Sequence, residues 1–385
     1  MGISCNVCSA EMSRPVYSSD GVSVTSVCEI RSMDTFVHYC AACQHVQTAE
    51  LANLDAYYDT EYNILVADED EDQIVVMPDG SHVYRLAHQA SVLLETVPLA
   101  PGARVLDYGC AKAATMRHLL QQRPDLQVHL FDVSTMYARF WERFVESTRC
   151  ATYVPPPEWV GRFDLVTAFY SLEHVASPRT YMAQVSELLA PEGLYYGIVP
   201  DWTANTADFV VVDHVNHFTV PSLHRLMREA GLEVVRIDSG LHASALVVLA
   251  RKVTGERAAQ PTTRLPELDR KVAETAAYWT AFRTRVRGFE SEHPAGLDAS
   301  AIYGSGFYGT FISSCLRDLG TVACYLDRNP HRQGKTLLGK PIIAPEGLPG
   351  SVQNVYVGLN PTIAEREIGK IDNWRSRRLD RKSVV

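Results

Sequence analysis

The sequence lacks the features that would attach it to a membrane or to nucleic acid. None of its apolar runs approaches the roughly 20 residues of a membrane span, and it does not begin with a basic-then-apolar secretory signal. It has no excess of positive charge, since 36 Lys and Arg stand against 45 Asp and Glu, a formal net charge of −9. A protein that grips a phosphate backbone needs a basic surface. We therefore expect a cytoplasmic protein with neither a membrane nor a nucleic-acid partner.

The composition is that of folded domains. Hydrophobic residues make up 46% of the 385 residues and charged residues 21%, which is ordinary for globular proteins. The length exceeds that of one ordinary domain, so two or three domains are expected. In a cytoplasmic protein the nine cysteines should be thiols or metal ligands, not disulfides.

Four of the cysteines form two Cys-x-x-Cys pairs near the N-terminus. They are Cys5, Cys8, Cys40 and Cys43. Two such pairs supply four thiolates, the closed tetrahedral set of a structural zinc site. Between them lie β-branched and aromatic residues around Asp20-Gly21, a hairpin signal in a segment too small for its own core. Four unrelated buried cysteines are the alternative, and Cys28, His38 and His45 are possible competing ligands.

The middle of the chain alternates strand and helix patterns. Strand-like runs are "ARVLDYG", "VHLFDV", "FDLVTAFY", "GLYYGIVP", "EVVRIDSG" and "ALVVLARK", with amphipathic helical patterns between the early ones. Such alternation is typical of a doubly wound α/β sheet, in which ligands bind at the carboxyl ends of the strands.

The first strand runs into an unusual loop. Asp107-Tyr108-Gly109 forms a sharp turn, but alanines occupy positions 111 and 113, where cofactor loops of this kind carry glycine. Alanine resists positive φ angles. The second strand ends in Asp132, where a carboxylate can accept hydrogen bonds from the two ribose hydroxyls of a nucleoside cofactor. The loop resembles the D-x-G-x-G-x-G loop of S-adenosylmethionine (SAM)-dependent methyltransferases.

A longer segment makes the resemblance more specific. "FDLVTAFYSLEHVASPRTYMAQVSELLAPEGLYYGIVP" looks like the fourth- and fifth-strand region of class I methyltransferases; the matching residues are Phe163, Asp164, Glu173, His174, Val175, Pro178 and Pro191-Glu192-Gly193. The layout of nearly the whole chain resembles that of bacterial sugar C-methyltransferases, which act on nucleotide-linked deoxy-keto sugars. This resemblance implies SAM and a structural Zn²⁺ as cofactors. The implied SAM-binding residues are Asp107, Gly109, Ala111, Asp132, Val133 and Tyr170.

The densest cluster of candidate catalytic residues is "VVDHVNHFT". Methyl transfer to a hydroxyl, or to a carbon beside a carbonyl, needs a proton acceptor near the in-line donor. The resemblance makes His214 the base and places Asp213 where the family carries glutamate, with His217 as a further candidate. Alternatively, these histidines only satisfy loop carbonyls ahead of a helix capped by Thr219. Glu173 and His174 are expected to line the entrance of the site or to hold its loop.

The last third contains a second glycine pattern. Gly304-x-Gly306-x-x-Gly309 follows a predicted strand, a pattern that by itself suggests a dinucleotide site. However, "LDRNPHRQGKTLLGKPI" resembles a segment of the same methyltransferase family, in which this Rossmann-like domain helps to hold the nucleotide-sugar. Both interpretations stay open.

The sequence therefore predicts an α/β protein with a central Rossmann-like class I methyltransferase sheet, a small N-terminal zinc-binding β module and a smaller C-terminal Rossmann-like α/β domain. The expected divisions are residues 1–60 for the zinc module, 75–253 for the SAM-dependent methyltransferase domain, 254–297 for a linker and packing helix, and 298–375 for the C-terminal domain.

The leading hypothesis is methyl transfer to a carbon of a nucleotide-linked deoxy-keto sugar, by a monomer or homodimer in sugar or natural-product biosynthesis. The alternatives are O- or N-methylation of another small acceptor, a nicotinamide-dependent oxidoreductase that uses the C-terminal domain, and a non-catalytic binding protein.

Overall fold

A computed structural model describes residues 3–12, 14–50, 57, 72–77, 79–253, 264–294, 296–371 and 374. The chain divides into two compact units. The first unit consists of Met1–Arg14, His38–Trp202 and His214–Leu268, and the second of Pro15–Val37, Thr203–Asp213 and Asp269–Val385. The stretch between the cysteine pairs, assigned by sequence to the zinc module, thus falls largely in the second unit. Residues 254–263 of the predicted linker lie outside the described residues.

The structure contains short strands at both ends and longer ones in the middle. In chain order the strands are β1 (Ile3–Ser4), β2 (Glu11–Met12), β3 (Tyr17–Ser18), β4 (Ser23–Val24), β5 (Ile30–Arg31), β6 (Phe36–Tyr39), β7 (Val46–Thr48), β8 (Ile74–Val76), β9 (His82–Tyr84), β10 (Arg104–Tyr108), β11 (Gln127–Asp132), β12 (Cys150–Thr152), β13 (Phe163–Phe169), β14 (Leu189–Pro200), β15 (Asn216–His217), β16 (Leu232–Asp238), β17 (Ala245–Lys252), β18 (Ser300–Tyr303), β19 (Val322–Leu326), β20 (Thr336–Leu337), β21 (Lys340–Ile343) and β22 (Asn354–Val357). The α-helices described are α1 (Arg85–Thr96), α2 (Ala114–Gln122), α3 (Ala138–Trp141), α4 (Pro178–Leu188), α5 (Val220–Glu229), α6 (Pro266–Glu292), α7 (Phe307–Cys315) and α8 (Pro361–Gly369). Within the described ranges, no helix is long and apolar enough to cross a membrane.

The first unit is built on a seven-stranded sheet with the order β12-β11-β10-β13-β14-β17-β16. The five strands β12, β11, β10, β13 and β14 run parallel to one another, whereas β17 is antiparallel to both β14 and β16. This mixed seven-stranded sheet is typical of the Rossmann-like methyltransferase fold. The α/β fold class predicted from the sequence is confirmed.

Alternate residues of the central strands supply two apolar layers, one on each face of the sheet. Val105 belongs to the layer that includes α1 and α2 residues, and Leu106 belongs to the layer that includes α4 and α5 residues. Successive side chains of a strand point to opposite faces, so a buried parallel strand must be apolar at nearly every position. That requirement explains the unbroken apolar runs in the sequence.

The N-terminal part of the first unit consists of short strands. β1 pairs with β2 in antiparallel register, and β7 pairs with β15. Cys5 and Cys8 follow β1, while Cys40 and Cys43 lie in the connection from β6 to β7. Each cysteine pair is therefore held at the end of a strand.

The second unit has a five-stranded sheet with the order β20-β21-β19-β18-β22. β18 is parallel to β19 and β22, and the glycine-rich connection leads from β18 into α7. A Cβ atom at Gly309 would lie 2.0 Å from the carbonyl oxygen of Gly304, and one at Gly304 would lie 2.1 Å from that of Gly358. These glycines are needed for close packing of backbone on backbone.

Candidate functional site

The loop after β10 adopts the shape of a glycine loop although it contains alanine. Gly109, Ala111 and Ala113 have φ angles of 83°, 44° and 54°. All three values lie in the left-handed region, which costs a residue with a Cβ roughly 1–2 kcal/mol. The alanines therefore take the conformation expected of the glycines that they replace, and the surrounding contacts must hold them there.

Hydrogen bonds on both sides of Ala111 hold the loop. Its main-chain N–H donates to Oδ2 of Asp132 at 2.8 Å, and its carbonyl accepts from Nε1 of Trp141 at 2.6 Å. The N–H of Gly109 donates to the carbonyl of Phe131 at 2.9 Å. The loop is thereby fixed to the end of β11, which brings Asp132 beside the turn.

Gly109 itself is required by space as well as by φ. A Cβ at this position would lie 2.8 Å from the Cβ of Ser171, which follows β13. The Ser171 side chain thus limits the space at Gly109, and an alanine could replace this glycine only if Ser171 moved.

Two buried carboxyl groups lie beneath and beside the loop. Asp107 accepts a hydrogen bond from Oγ1 of Thr167 at 2.9 Å, and its burial raises its pKa to about 7. Burial likewise raises the pKa of Asp132 to about 6, against the opposing effect of the N–H groups of Ala111 and Ser134. Proximity to Asp132 adds to the shift in the pKa of Asp107. Both groups can therefore respond to a cationic or hydroxyl-bearing ligand near neutral pH.

Val133 and Tyr170, two of the predicted cofactor-binding residues, lie directly after β11 and β13. Val133 directly follows Asp132 and is 53% exposed, an uncommon exposure for a large apolar side chain at the end of a buried strand. Tyr170 directly follows β13 and has a φ of 52°. A bulky residue with positive φ is strained, and such strain is typical of functional sites.

A carboxylate and two imidazoles converge at the same edge of the sheet. Glu173 and His174 lie in a short 3-10 turn after β13, and His214 precedes β15. The rings of His174 and His214 meet edge to face with centroids 4.7 Å apart, and one ligand atom from each of the three residues lies within 4.8 Å of the others. Glu173 is 1% exposed and His214 is 9% exposed. This group can handle a proton, and its donor set could also hold a divalent cation.

The other two predicted catalytic residues flank His214. Both oxygens of Asp213, a residue of the second unit, accept from Ser26: Oδ1 from its N–H at 2.7 Å and Oδ2 from its hydroxyl at 2.6 Å. His217 lies in β15, is fully buried, and its Nε2 lies 2.7 Å from Oγ1 of Thr48. Their catalytic roles stay predictions.

The four predicted zinc ligands lie together in the first unit. The Sγ atoms of Cys5 and Cys43 are 3.5 Å apart, those of Cys8 and Cys40 are 3.4 Å apart, and all four sulfurs lie within 4.8 Å of one another. Zinc bound at about 2.3 Å by four sulfurs places them about 3.8 Å apart. The four thiols therefore fit a tetrahedral zinc ion.

The candidate ligands that competed for this site have other partners. His45 is fully buried, its Nε2 lies 3.2 Å from Oδ1 of Asn216, and burial lowers its pKa to about 3. Cys28 lies in the second unit, close to Arg332 and Thr310. Neither belongs to the four-sulfur group.

The glycine loop of the second unit is closed by its own side chains. Oδ2 of Asp327, just after β19, accepts from the N–H and hydroxyl of Ser305 at 3.1 and 2.5 Å. In a dinucleotide site an acidic residue near this place binds a ribose. A Cβ at Gly306 would meet nothing within 4 Å, so the loop keeps one open position. Both interpretations of this loop remain predictions.

Comparison with known proteins agrees with the fold of the first unit. Residues 82–237 match the family model described as a methyltransferase domain. No curated protein matches the chain.

Among solved structures, a complex of the Haloferax volcanii Trm112 methyltransferase activator and a methyltransferase is similar, with 16% identity, a TM-score of 0.40 and coverage of 45% of this chain and 92% of that chain. A SAM-dependent methyltransferase from Mesorhizobium loti has 15% identity, a TM-score of 0.36 and coverage of 45% and 99%. The CurJ carbon methyltransferase has 16% identity, a TM-score of 0.34 and coverage of 42% and 51%. None of these TM-scores reaches 0.5, so none of the three bears on the substrate.

The matched segment, residues 82–237, covers six of the seven strands of the central sheet, namely β10 to β14 and all but the last residue of β16.

The sequence indicates His242, which stands where the resembled sugar C-methyltransferases carry a histidine, but two basic residues near it were missed. Arg85 and His88 of α1 lie near His242, which precedes β17. The sequence signal for Arg85 and His88 was weak. They are two basic residues one turn apart at the start of the helix that precedes β10.

Proposed function

We propose that the chain is a SAM-dependent methyltransferase of a small acceptor and that His214 is its general base. The observation that carries this proposal is the convergence of His174 and His214 beside Glu173, after strands of a methyltransferase sheet whose cofactor loop keeps its shape. In this proposal Asp107, Asp132 and the backbone at Gly109 and Ala111 position the donor. Val133 and Tyr170 form its walls.

The chemistry asked of the protein is limited. The sulfonium of SAM is already activated, so the enzyme must align the acceptor with the methyl carbon and remove one proton. The acceptor atom forms its bond to the methyl group as the carbon–sulfur bond breaks, and His214 takes the proton. Glu173 orients the imidazole of His174, whose Nε2 lies 4.0 Å from Oε1 of Glu173. Asp213 and His217 serve as positioning residues through Ser26 and Thr48.

The acceptor that we propose is a nucleotide-linked deoxy-keto sugar methylated at the carbon beside its carbonyl. Support comes from the order of sequence features along nearly the whole chain, which is similar to that of sugar C-methyltransferases. A carbon beside a carbonyl is acidic enough for an imidazole base to deprotonate it within a site that stabilises the enolate.

O-methylation of a hydroxyl is the second candidate. The feature that favours it is the Glu173, His174 and His214 set, whose ligand atoms lie within 4.8 Å of one another. A divalent cation in such a set would bind an acceptor hydroxyl and acidify it.

Deuterium exchange separates the two candidates. The protein is incubated in heavy water, without SAM, with a panel of thymidine-diphosphate-linked keto and hydroxy sugars, and the carbon-bound hydrogens are followed by mass spectrometry and NMR. C-methylation predicts exchange at one carbon beside the carbonyl, and addition of SAM then converts that sugar to its methylated product. Methylated product without any carbon exchange would support the hydroxyl acceptor instead.

The matched variants are His214→Gln and His224→Gln. His224 lies on the exposed side of α5, so its replacement should change neither activity nor SAM affinity. His214→Gln should lower methyl transfer at least about 100-fold while SAM affinity is retained. Turnover in His214→Gln equal to that of His224→Gln would rule out the base that we propose.

The remaining features follow from this proposal and from the composition. We propose that four cysteines hold a structural zinc, that the partner is a small molecule and not a nucleic acid, and that the protein works in the cytoplasm as a monomer or homodimer. Size-exclusion chromatography with light scattering decides the oligomeric state.

A further inference from the structure

A cluster of three basic side chains lies in the methyltransferase unit, apart from the residues assigned above. Arg85 and His88 lie on α1, and His242 lies in the loop between β16 and β17. The rings of His88 and His242 meet edge to face with centroids 4.8 Å apart. The guanidinium of Arg85 lies 5.2 Å from the centre of the Tyr170 ring. The cluster therefore borders the residue that we assign to the wall of the donor site.

Two of the polar atoms in this cluster are buried without a hydrogen-bond partner. They are Nε of Arg85 and Nε2 of His242, and the His242 side chain as a whole is only 4% exposed. The third residue, His88, lies with its Nε2 3.2 Å from the carbonyl of Leu241. Buried polar atoms of proteins are nearly always paired, so two unpaired nitrogens in one cluster call for a partner from outside the chain.

The acidic residues next to the cluster are engaged elsewhere. Asp72 accepts from the N–H groups of Gln73 and Leu86, at the start of α1. Asp238 accepts from the N–H groups of Gly240 and Leu241 and pairs with Arg236. Within the part of the chain that the structure describes, no carboxylate forms an ion pair with Arg85.

The electrostatics of the cluster also favour the binding of an anion. Burial, together with the positive charges of His88 and Arg85, lowers the pKa of His242 to about 4. Without a ligand this imidazole is therefore neutral at pH 7. A bound anion would offset the desolvation and the repulsion together.

We propose that Arg85, His88 and His242 form a binding site for a carboxylate group. This inference rests on the proposed function in one respect only, namely that Tyr170, next to Arg85, forms a wall of the SAM site. Two molecules of the reaction could supply the carboxylate: the methionine part of SAM or an acidic acceptor. The planar guanidinium suits a carboxylate because it can donate two parallel hydrogen bonds.

Calorimetric titration with two donors tests the site and separates the two sources. The ligands are SAM and decarboxylated SAM, which keeps the sulfonium and adenosine but lacks the carboxylate. The variants are Arg85→Gln, Arg85→Lys and His242→Asn. The control is Arg162→Gln, an exposed arginine at the amino end of β13. Thermal unfolding of each variant checks that it folds.

If the carboxylate belongs to SAM, Arg85→Gln should weaken SAM binding at least tenfold and leave decarboxylated SAM unchanged. Arg85→Lys and His242→Asn should weaken SAM binding less. If it belongs to the acceptor, SAM binding should not change, and acetate titrated into protein saturated with S-adenosylhomocysteine should bind to the wild type and to Arg162→Gln but not to Arg85→Gln.

Equal weakening of both donors would show a merely structural role for Arg85 and overturn the proposal. So would an Arg85→Gln variant that matches the wild type in both the donor and the acetate titrations. Failure of the wild type to bind either donor would instead count against the proposed function. Acetate titrated into the unliganded protein, wild type against Arg85→Gln, would still decide the carboxylate site.

Discussion

The main-chain N–H of Ala111 donates to Oδ2 of Asp132 at 2.8 Å, which joins the turn after the first central strand to the end of the second. This bond fixes a loop in which two alanines have positive φ angles. It also occupies one oxygen of the carboxylate that we assign to the ribose of the donor. The shape of the loop and the ionisation of Asp132 are therefore linked, and the first two predictions test each of them.

Ala113→Gly should raise the free energy of unfolding of the unliganded protein by up to about 1 kcal/mol, because glycine adopts a φ of 54° without the Cβ penalty. The measurement is chemical denaturation. The matched control is Ala114→Gly at the first residue of α2, where the backbone is already right-handed, so glycine relieves no strain and should not raise that free energy. Equal destabilisation by both substitutions would contradict the left-handed conformation at position 113.

Binding of SAM should weaken as the pH falls below about 6, because burial raises the pKa of Asp132 to about 6 and the ribose hydroxyls donate to the ionised form. The dissociation constant, measured by calorimetry between pH 5 and 8, should rise up to about tenfold per pH unit on the acidic side. Asp132→Asn should bind SAM more weakly at pH 8 and lose most of this dependence. An unchanged pH profile in that variant would assign the dependence to another group.

The same raised pKa affects the unliganded protein with the opposite trend. The folded state binds a proton that the unfolded chain has already released between pH 4 and 6, since the ordinary pKa of an aspartate is about 3.9. Through this group, the free energy of unfolding should therefore fall as the pH rises across that window. Denaturation of wild type and Asp132→Asn at pH 4.5 and 6.5 measures the difference.

The four-cysteine group should hold one zinc ion per chain, measured by inductively coupled plasma mass spectrometry. Cys40→Ser should lose that zinc and at least about 3 kcal/mol of stability, because metal binding at such a site is folding free energy. Cys315→Ser, at a buried cysteine of the second unit, should keep the zinc. Full zinc content in Cys40→Ser would contradict the four-sulfur site. If the wild type binds a second metal ion and His174→Ala loses it, that ion belongs to the group formed by Glu173, His174 and His214.

Gly309→Ala should destabilise the second unit by more than about 3 kcal/mol, because its Cβ would lie 2.0 Å from the carbonyl oxygen of Gly304. Gly306→Ala is the matched control in the same loop, where a Cβ meets nothing within 4 Å, and should change stability by less than about 1 kcal/mol. Thermal unfolding of both variants tests the difference. Similar losses in the two variants would show that the loop packs differently.

Some of these features could be predicted from the sequence because they depend on local spacing. The apolar runs predict parallel strands buried on both faces, and the sheet has them at β10, β11 and β13. The two Cys-x-x-Cys pairs predict one four-sulfur group, since two residues between ligands let both sulfurs reach one point. Asp107 and Asp132 could be predicted to lie at the same edge of the sheet, because each comes at the carboxyl end of one of two parallel strands.

Other features could not be predicted, because they depend on residues far apart in the chain. No sequence rule shows that Ala111 and Ala113 would be held in a conformation that alanine disfavours; the contacts of Asp132 and Trp141 decide it. The division into two units, in which residues 15–37 separate from the cysteine pairs, is equally invisible in the linear order.

The sequence by itself determined the class of fold, the order of its strands along the chain and the grouping of four cysteines, because periodicity and short spacings are local properties. Only the tertiary structure decided which charged groups face one another. It brought ligand atoms of Glu173, His174 and His214 within 4.8 Å of one another, and it left Nε of Arg85 and Nε2 of His242 buried without hydrogen-bond partners. Burial and electrostatic coupling arise from the folded arrangement of distant segments, so they are fixed only when those segments pack.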